Sequence, residues 1–345
     1  MFTDLPEAEL REHRTSSAPP ADFDAFWSAR IAEARALAAP PELTEVDTSL
    51  TAIRTWDVAF SGWGGQRVRG WLRTPAGATG PLPAIVEYVG YGGGRGSAIE
   101  NLAFAAAGYA HLLMDTRGQG SGWSRGVTPD DAGAGPQVPG VMTRGILDPA
   151  TYYYTRLFTD AVLAVDAARG LDVVDPDRVA VHGVSQGGGT ALAAGALAGG
   201  VAAIVARVPF LCDFPRSLVI TDSNPFHEVV AYLATHRDEV DAVMRTLSYV
   251  DGAHFAARGT APLLVTTALM DPVVPPSGPF AAYNAAPEPK ELLLHRFNGH
   301  EGGGPDDTAA ALRFLRPLLS PGGAVGGGGQ TGAARSGMGG RKEHS

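Results

Sequence analysis

Apolar positions recur at two spacings along the chain, and the alternation between them sets the fold expectation. Within residues 21–38, Phe23, Phe26, Trp27, Ile31 and Ala34 recur at helical spacing. That predicts an amphipathic helix packed on this chain or on a neighbour. Residues 55–60 and 67–72 alternate on either side of Gly62-Trp63-Gly64-Gly65, the pattern of an antiparallel lead-in. Short apolar runs bounded by Gly or Pro follow at 84–89, 111–115, 179–182, 202–208, 263–268 and 292–297. Helical patterns lie between them at 99–107, 152–169, 187–197, 280–286 and 307–319. Buried strands alternating with helices predict an α/β fold with a mainly parallel, doubly wound sheet.

Residues 209–258 break the alternation with helical patterns at 227–236 and 240–247. They are expected to form a helical insertion over the C-terminal edge of the sheet, where ligands bind in such folds. One domain then covers 1–319, with an N-terminal helical arm over about 1–40. Residues 320–345 are Gly-rich with almost no large apolar side chain, and are expected to be a disordered tail.

Charge narrows the partners. The 27 basic and 36 acidic residues leave a net charge of −9, which disfavours nucleic acid or an anionic membrane. The single cysteine, Cys212, excludes a disulfide or CxxC framework within one chain. Lys290 and Lys342 are the only lysines, and neither stands in a Gly-Lys-Ser/Thr loop, so P-loop phosphoryl transfer is excluded. No apolar run reaches 18 residues and acids interrupt the first 30 positions, which predicts a cytoplasmic protein.

The strongest chemical signal is Gly183-Val184-Ser185-Gln186-Gly187, set between a strand and a helix. This is the G-x-S-x-G nucleophile elbow in the context it requires, and it predicts the α/β-hydrolase fold with Ser185 as nucleophile. The Gln186 N–H, at the helix start, faces where an oxyanion would form. The fold then calls for an acid and a histidine, each on a loop after a later strand. Asp271 follows the 263–268 strand and His300 follows the 292–297 strand, in that order. Asp271 would orient the imidazole, and His300 would take the Ser185 proton.

The other histidines do not meet this test. His111 and His182 lie inside strands, and His227-Glu228 does not continue as HExxH, so no metal ligand set remains. The chemistry calls for no metal and no cofactor. The stretch Gly90-Tyr91-Gly92-Gly93-Gly94-Arg95-Gly96 lacks a true dinucleotide register. It follows the 84–89 strand, where a hydrolase supplies its second oxyanion donor, here the Tyr91 N–H.

With these motifs in place, the sequence resembles the acetyl xylan esterase / cephalosporin C deacetylase carbohydrate esterases. The family signature reads here as Arg117-Gly118-Gln119, the Ser185 elbow and His300-Glu301. The likeness runs from Phe2-Thr3-Asp4-Leu5-Pro6 through Met270-Asp271-Pro272-Val273-Val274 to Phe280-Ala281-Ala282-Tyr283-Asn284. It implies Ser185, Asp271 and His300 as triad and the Tyr91 and Gln186 amides as oxyanion hole. It also implies a cytoplasmic homohexamer acting on small acetylated sugars and on the acetyl group of cephalosporins. The family's His-Gly-Tyr reads Val89-Gly90-Tyr91 here, which leaves backbone donors intact and alters the pocket wall.

The expected reaction is deacetylation of carbohydrate hydroxyls through an acetyl-enzyme. Fold and triad do not choose the acyl group, so a broader small-ester, lactone or peptide hydrolase stays open. A catalytically silent binding module would show a broken triad or elbow. Phe210 and Phe214, with Tyr91, Val273 and Val274, are expected to crowd the acyl side, unless the two phenylalanines belong to the core.

Overall fold

The computed structural model of the chain describes residues 2, 4–132 and 135–320. The Gly-rich tail expected to be disordered lies outside the described residues from 321 onward. Nine strands form one sheet among the described residues: β1 (Glu42–Val46), β2 (Ile53–Ser61), β3 (Arg67–Pro75), β4 (Leu82–Tyr88), β5 (Ala110–Met114), β6 (Val174–Val184), β7 (Ala203–Arg207), β8 (Leu263–Ala268) and β9 (Lys290–His295). Helices α1 (Glu7–Leu10), α2 (Phe23–Ala36), α3 (Ala103–Ala106), α4 (Tyr153–Arg169) and α5 (Gln186–Leu197) accompany the first seven strands. Between β7 and β8 come α6 (Phe214–Ile220), α7 (Phe226–Thr235), α8 (Val240–Ser248) and α9 (Gly252–Ala256). Helices α10 (Ser277–Ala285) and α11 (Pro305–Leu318) complete the chain's described part.

The strand order is β1-β2-β3-β5-β4-β6-β7-β8-β9, antiparallel through β1–β3 and their junction with β5, then parallel to β9. From β4 the chain first steps outward to β5, then returns to β6 on the other side. That reversal leaves a crevice at the C-terminal ends of β4 and β6.

Two faces of the same strands feed two cores. Along β4, Ala84, Val86 and Tyr88 face the α4 and α5 side, while Ile85 faces Phe104, Ala311 and Leu315 on the α3 and α11 side. Strands β5, β7 and β8 are buried along their whole length, as strands covered on both faces must be. Outside α4, helix α2 presses Phe23 and Trp27 onto Phe255, and Trp27 onto Phe158. The Trp27 Nε1–H donates to the Tyr249 carbonyl at 2.9 Å. The apolar face of this helix is therefore covered by its own chain, and only Phe26 is left half-buried.

Three sequence expectations are corrected. The 99–107 helix shrinks to Ala103–Ala106, because Asn101 takes a left-handed φ of 54° and Ile99 points to solvent. The last strand runs Lys290–His295, two residues earlier than its apolar run suggests. Strand β1 was not expected; it is an almost wholly exposed edge paired with β2. No helix among the described residues is long and apolar enough to cross a membrane.

Candidate active site

The elbow is built by close approach. Ser185 has φ 58° and ψ −119°, a backbone state that costs of order 1–3 kcal/mol in a non-glycine residue. A Cβ on Gly183 would collide with the Gly187 carbonyl, and one on Gly187 with the Tyr88 carbonyl of β4. Glycine at both positions therefore lets strand and helix close around the serine. The Ser185 N–H donates to the Arg207 carbonyl at 2.9 Å, and its own carbonyl accepts from Phe210 N at 3.0 Å. Ser185 is left 9 % exposed at the crevice.

The residues expected after β8 and β9 meet it there. His300 Nε2 lies 3.0 Å from Ser185 Oγ, and His300 Nδ1 lies 2.8 Å from Asp271 Oδ2. The carboxylate fixes the tautomer: Nδ1–H donates to Asp271, which leaves Nε2 free to accept from the serine. The other oxygen of buried Asp271 accepts the amides of Val273 at 2.8 Å and Val274 at 2.9 Å. These two valines thus hold the acid through their backbones. Val274 is buried and only Val273 keeps some exposed surface.

The loop carrying His300 is tied at both ends. Glu301 Oε1 accepts from Asn298 Nδ2 at 3.1 Å and from Gly299 N at 3.2 Å. Hydrogen bonds from its own amide, Asn298 and Gly299 hold the Glu301 carboxyl below the ordinary carboxylate range. Further along, buried Asp307 accepts from Gly303 N at 3.0 Å and Thr266 Oγ1 at 3.1 Å, and pairs with His295 at 2.7 Å. Sequence reasoning reached Asp307 only as a helix start. Its partners on β8 and β9 are invisible without the fold.

Beside the serine, Gly90 brings the β4 loop so close that a Cβ there would sit 3.9 Å from Ser185 Cβ. The Tyr91 and Gln186 amides, which flank this point, donate to no group among the described residues. Side-chain hydrogen bonds fix the Tyr91 loop. Gln119 Oε1 accepts from Gly92 N at 2.6 Å, while its Nε2 donates to Tyr153 Oη and Gln186 Oε1, each at 2.8 Å. Trp123 Nε1–H donates to the Tyr91 carbonyl at 2.8 Å. The Tyr91 hydroxyl donates to Glu228 Oε1 at 2.6 Å and accepts from Val141 N at 2.8 Å. Burial, with Glu228 beside it, pushes the Tyr91 hydroxyl pKa well up. Burial likewise raises Glu228 above the ordinary carboxylate value, against the Tyr91 and Met142 hydrogen bonds that lower it.

Arg117 stays out of the crevice. It is buried in a two-pronged pair with Asp160 at 2.6 and 2.7 Å, and its carbonyl accepts the Tyr153 hydroxyl at 2.6 Å. His111 and His182 are core residues, 2.7 and 3.5 Å from Glu87 and edge-on to Phe104. Burial pushes Glu87 up, yet these histidines hold it well below the ordinary carboxylate range. No group of three or more metal-ligating side chains occurs among the described residues.

The expected acyl wall is corrected. Phe210, Phe214 and Val274 expose essentially no surface. Both phenylalanines turn into the core against Phe226, at ring-centroid distances of 4.5 and 5.9 Å. The segment leaving β7 carries the chain inward through left-handed Val208, Leu211 and Asp213, so its aromatic side chains back the elbow rather than face the crevice. Of the five residues expected there, Tyr91 and Val273 retain accessible surface.

Known proteins share this fold. An acetyl xylan esterase from Paenibacillus sp. R4 superposes with a TM-score of 0.84 at 40 % identity, over 90 % of this chain and 99 % of that one. Acetyl xylan esterase 1 from Thermoanaerobacterium sp. JW/SL YS485 does so with 0.83 at 32 % identity, over 92 % and 100 %. Acetyl esterase Axe7A of Xylanibacter ruminicola is 28 % identical over 81 % of this chain. The chain spans 63 % of that relative's length, less than two thirds. The fold is that of the α/β-hydrolases. The family model for acetyl xylan esterase (AXE1) matches residues 1–318, and the chain belongs to that family.

Proposed function

We propose that the chain is a serine carboxylesterase that removes acetyl groups from hydroxyls of acetylated xylo-oligosaccharides and related small acetyl esters, cephalosporin C among them. The observation that carries this reading is the unbroken hydrogen-bonded line from Ser185 through His300 to Asp271 beside two unengaged amides. Ser185 Oγ attacks the acetyl carbonyl as His300 Nε2 takes its proton, and Asp271 stabilises the imidazolium. The tetrahedral oxyanion is received by the Tyr91 and Gln186 amides, preorganised donors that need no reorientation. As the intermediate collapses and the acyl C–O bond breaks, His300 gives the proton to the departing sugar oxygen, which leaves as a hydroxyl. Water, deprotonated by the same imidazole, then cleaves the acetyl-enzyme and releases acetate. No step requires a cofactor or metal.

Support for the acetylated-sugar substrate comes from the relatives' names and from family membership. A cytoplasmic homohexamer is the assembly that the family resemblance favours. Helix α2 lends it no support, because its apolar face is already covered. A broader acyl range is the second reading, favoured by the withdrawal of Phe210 and Phe214 from the crevice. Acetate release from acetylated xylotriose and from cephalosporin C, with p-nitrophenyl acetate as reference, tests the assignment. Activity on none of the three rejects it. Light scattering at micromolar concentration tests the hexamer, and a monomer removes it.

A further inference from the structure

Trp123 is 68 % exposed, yet its indole is not free to move. Its N–H is committed to the Tyr91 carbonyl, and its ring lies on the Gly-rich loop so closely that a Cβ on Gly93 would collide with it. A Cβ on Gly90 would stand 3.5 Å from the same ring and 3.9 Å from Ser185 Cβ. The exposed indole therefore stands one glycine away from the serine, held flat against the loop that carries the Tyr91 amide.

From Trp123 a hollow of about 910 Å³ runs along the flank of the sheet to Trp71. A smaller one of about 310 Å³ shares Asn101, Trp123 and Ser124 with it and reaches Gly90 and Val184 at the elbow. Trp71 is fixed too: its N–H donates to the Gly96 carbonyl at 3.0 Å, and Arg95 lies 3.9 Å from its ring centroid. Arg95 pairs with Asp57 at 2.7 Å, a carboxylate it shares with Arg69, and exposed Arg125 and Glu100 stand on the same wall. The Asn101 and Arg125 side chains make no hydrogen bond to any described residue, while the Arg125 carbonyl accepts from Gly96 N at 2.9 Å. The groove thus joins rigid aromatic surface and unspent polar groups.

We propose that this groove binds the neutral sugar chain flanking the acetylated residue, on the alcohol side of the scissile ester. A pyranose ring offers C–H faces to an indole and hydroxyl edges to Asn101 and Arg125, the mixed chemistry that such a wall recognises. The smaller hollow ends at Gly90 and Val184, beside Ser185, so the groove meets the part of the substrate next to the scissile ester. This inference rests on the acetyl-ester reading of the Ser185 site. It makes remote binding available to the reaction, so that a longer chain is cleaved faster than an isolated sugar.

The test compares kcat/KM of the full chain on monoacetylated xylose and monoacetylated xylotetraose, and measures binding of unacetylated xylohexaose to Ser185→Ala by calorimetry. The expected result is a rise with chain length of about 3- to 10-fold, the scale of one aromatic contact. Trp123→Ala should erase that rise and weaken xylohexaose binding by a similar factor. Because Trp123 also steadies the Tyr91 carbonyl, Arg125→Ala is the second variant, expected to reduce the rise at least twofold. A flat chain-length profile in an enzyme active on p-nitrophenyl acetate overturns the proposal. So does a rise, or a xylohexaose affinity, that both variants leave intact. If p-nitrophenyl acetate is not hydrolysed, the ester reading has failed, and xylohexaose binding still decides for or against the groove.

Discussion

Replacing Gln119 by leucine separates positioning from chemistry at this site. The side chain touches no reacting atom, yet it joins the two loops whose amides are assigned to the oxyanion. It accepts the Gly92 N–H at 2.6 Å and donates to Gln186 Oε1 at 2.8 Å. Leucine fills a similar volume with no polar atom. Gln186 Oε1 would still accept the Tyr154 hydroxyl at 3.0 Å, and Tyr153 would still donate to the Arg117 carbonyl. The Gly92 N–H would be left without a partner, at a cost of about 1–3 kcal/mol in stability. Removing an oxyanion donor outright costs about 10²- to 10³-fold in kcat. Gln119→Leu removes only the support of two donors, so the expected loss is about 10- to 100-fold in kcat with KM changed by less than about threefold. Steady-state kinetics on p-nitrophenyl acetate, paired with thermal unfolding, read both effects. A folded variant with kcat within twofold of the parent, or a loss confined to KM, refutes the positioning argument.

Asp307→Ala should strip the His300 loop of its anchor and leave Arg207 and His295 without their carboxylate, costing about 3–5 kcal/mol together with a fall in kcat. An unchanged melting temperature and kcat would contradict it. Burial raises the folded-state pKa of Glu228 above the ordinary glutamate value of 4.5, so the stability its protonated form contributes is fully present below about that pH and is lost as pH rises through the folded value. Glu228→Gln should therefore melt higher relative to the parent at pH 8 than at pH 4.5; a difference independent of pH, or one that grows toward acid, opposes this. On acyl length, acetyl specificity would need a wall other than the withdrawn Phe210 and Phe214. The acetyl-esterase reading predicts that acetyl esters exceed butyryl esters by about 10- to 100-fold in kcat/KM, the effect of the roughly 1–3 kcal/mol that extra methylenes cost in a rigid site. Parity on butyrate and octanoate esters favours the broader esterase.

What the sequence made legible was local. Ser185, Asp271 and His300 each follow an apolar strand within a few residues, so strand ends alone point to all three, and the structure brings them within hydrogen-bonding distance. Gln119 was visible as part of a motif, but its bonds to Gly92 and Gln186 depend on how β4, β5 and β6 lie side by side. Strand β1, reading Glu42-Leu43-Thr44-Glu45-Val46, has too many charges to signal burial, because an edge strand is held by its backbone pairing with β2. Phe210 and Phe214 show the opposite failure. Their apolar character is plain, but whether an aromatic faces a crevice or the core depends on the backbone, here on three left-handed residues between 208 and 213. The face of α2 was equally clear, whereas its cover came from Phe158, Tyr249 and Phe255, distant in sequence.

The central claim is that Ser185 attacks the ester with His300 as its base, and turnover of Ser185→Ala on p-nitrophenyl acetate tests it most directly. The variant keeps the elbow backbone and deletes one oxygen, so it should fold like the parent. The account predicts a loss of about 10⁴- to 10⁶-fold in kcat, the scale of triad removals in a serine protease. A purified, contamination-checked Ser185→Ala protein that retains more than about a tenth of the parent's activity, far outside that range, contradicts it.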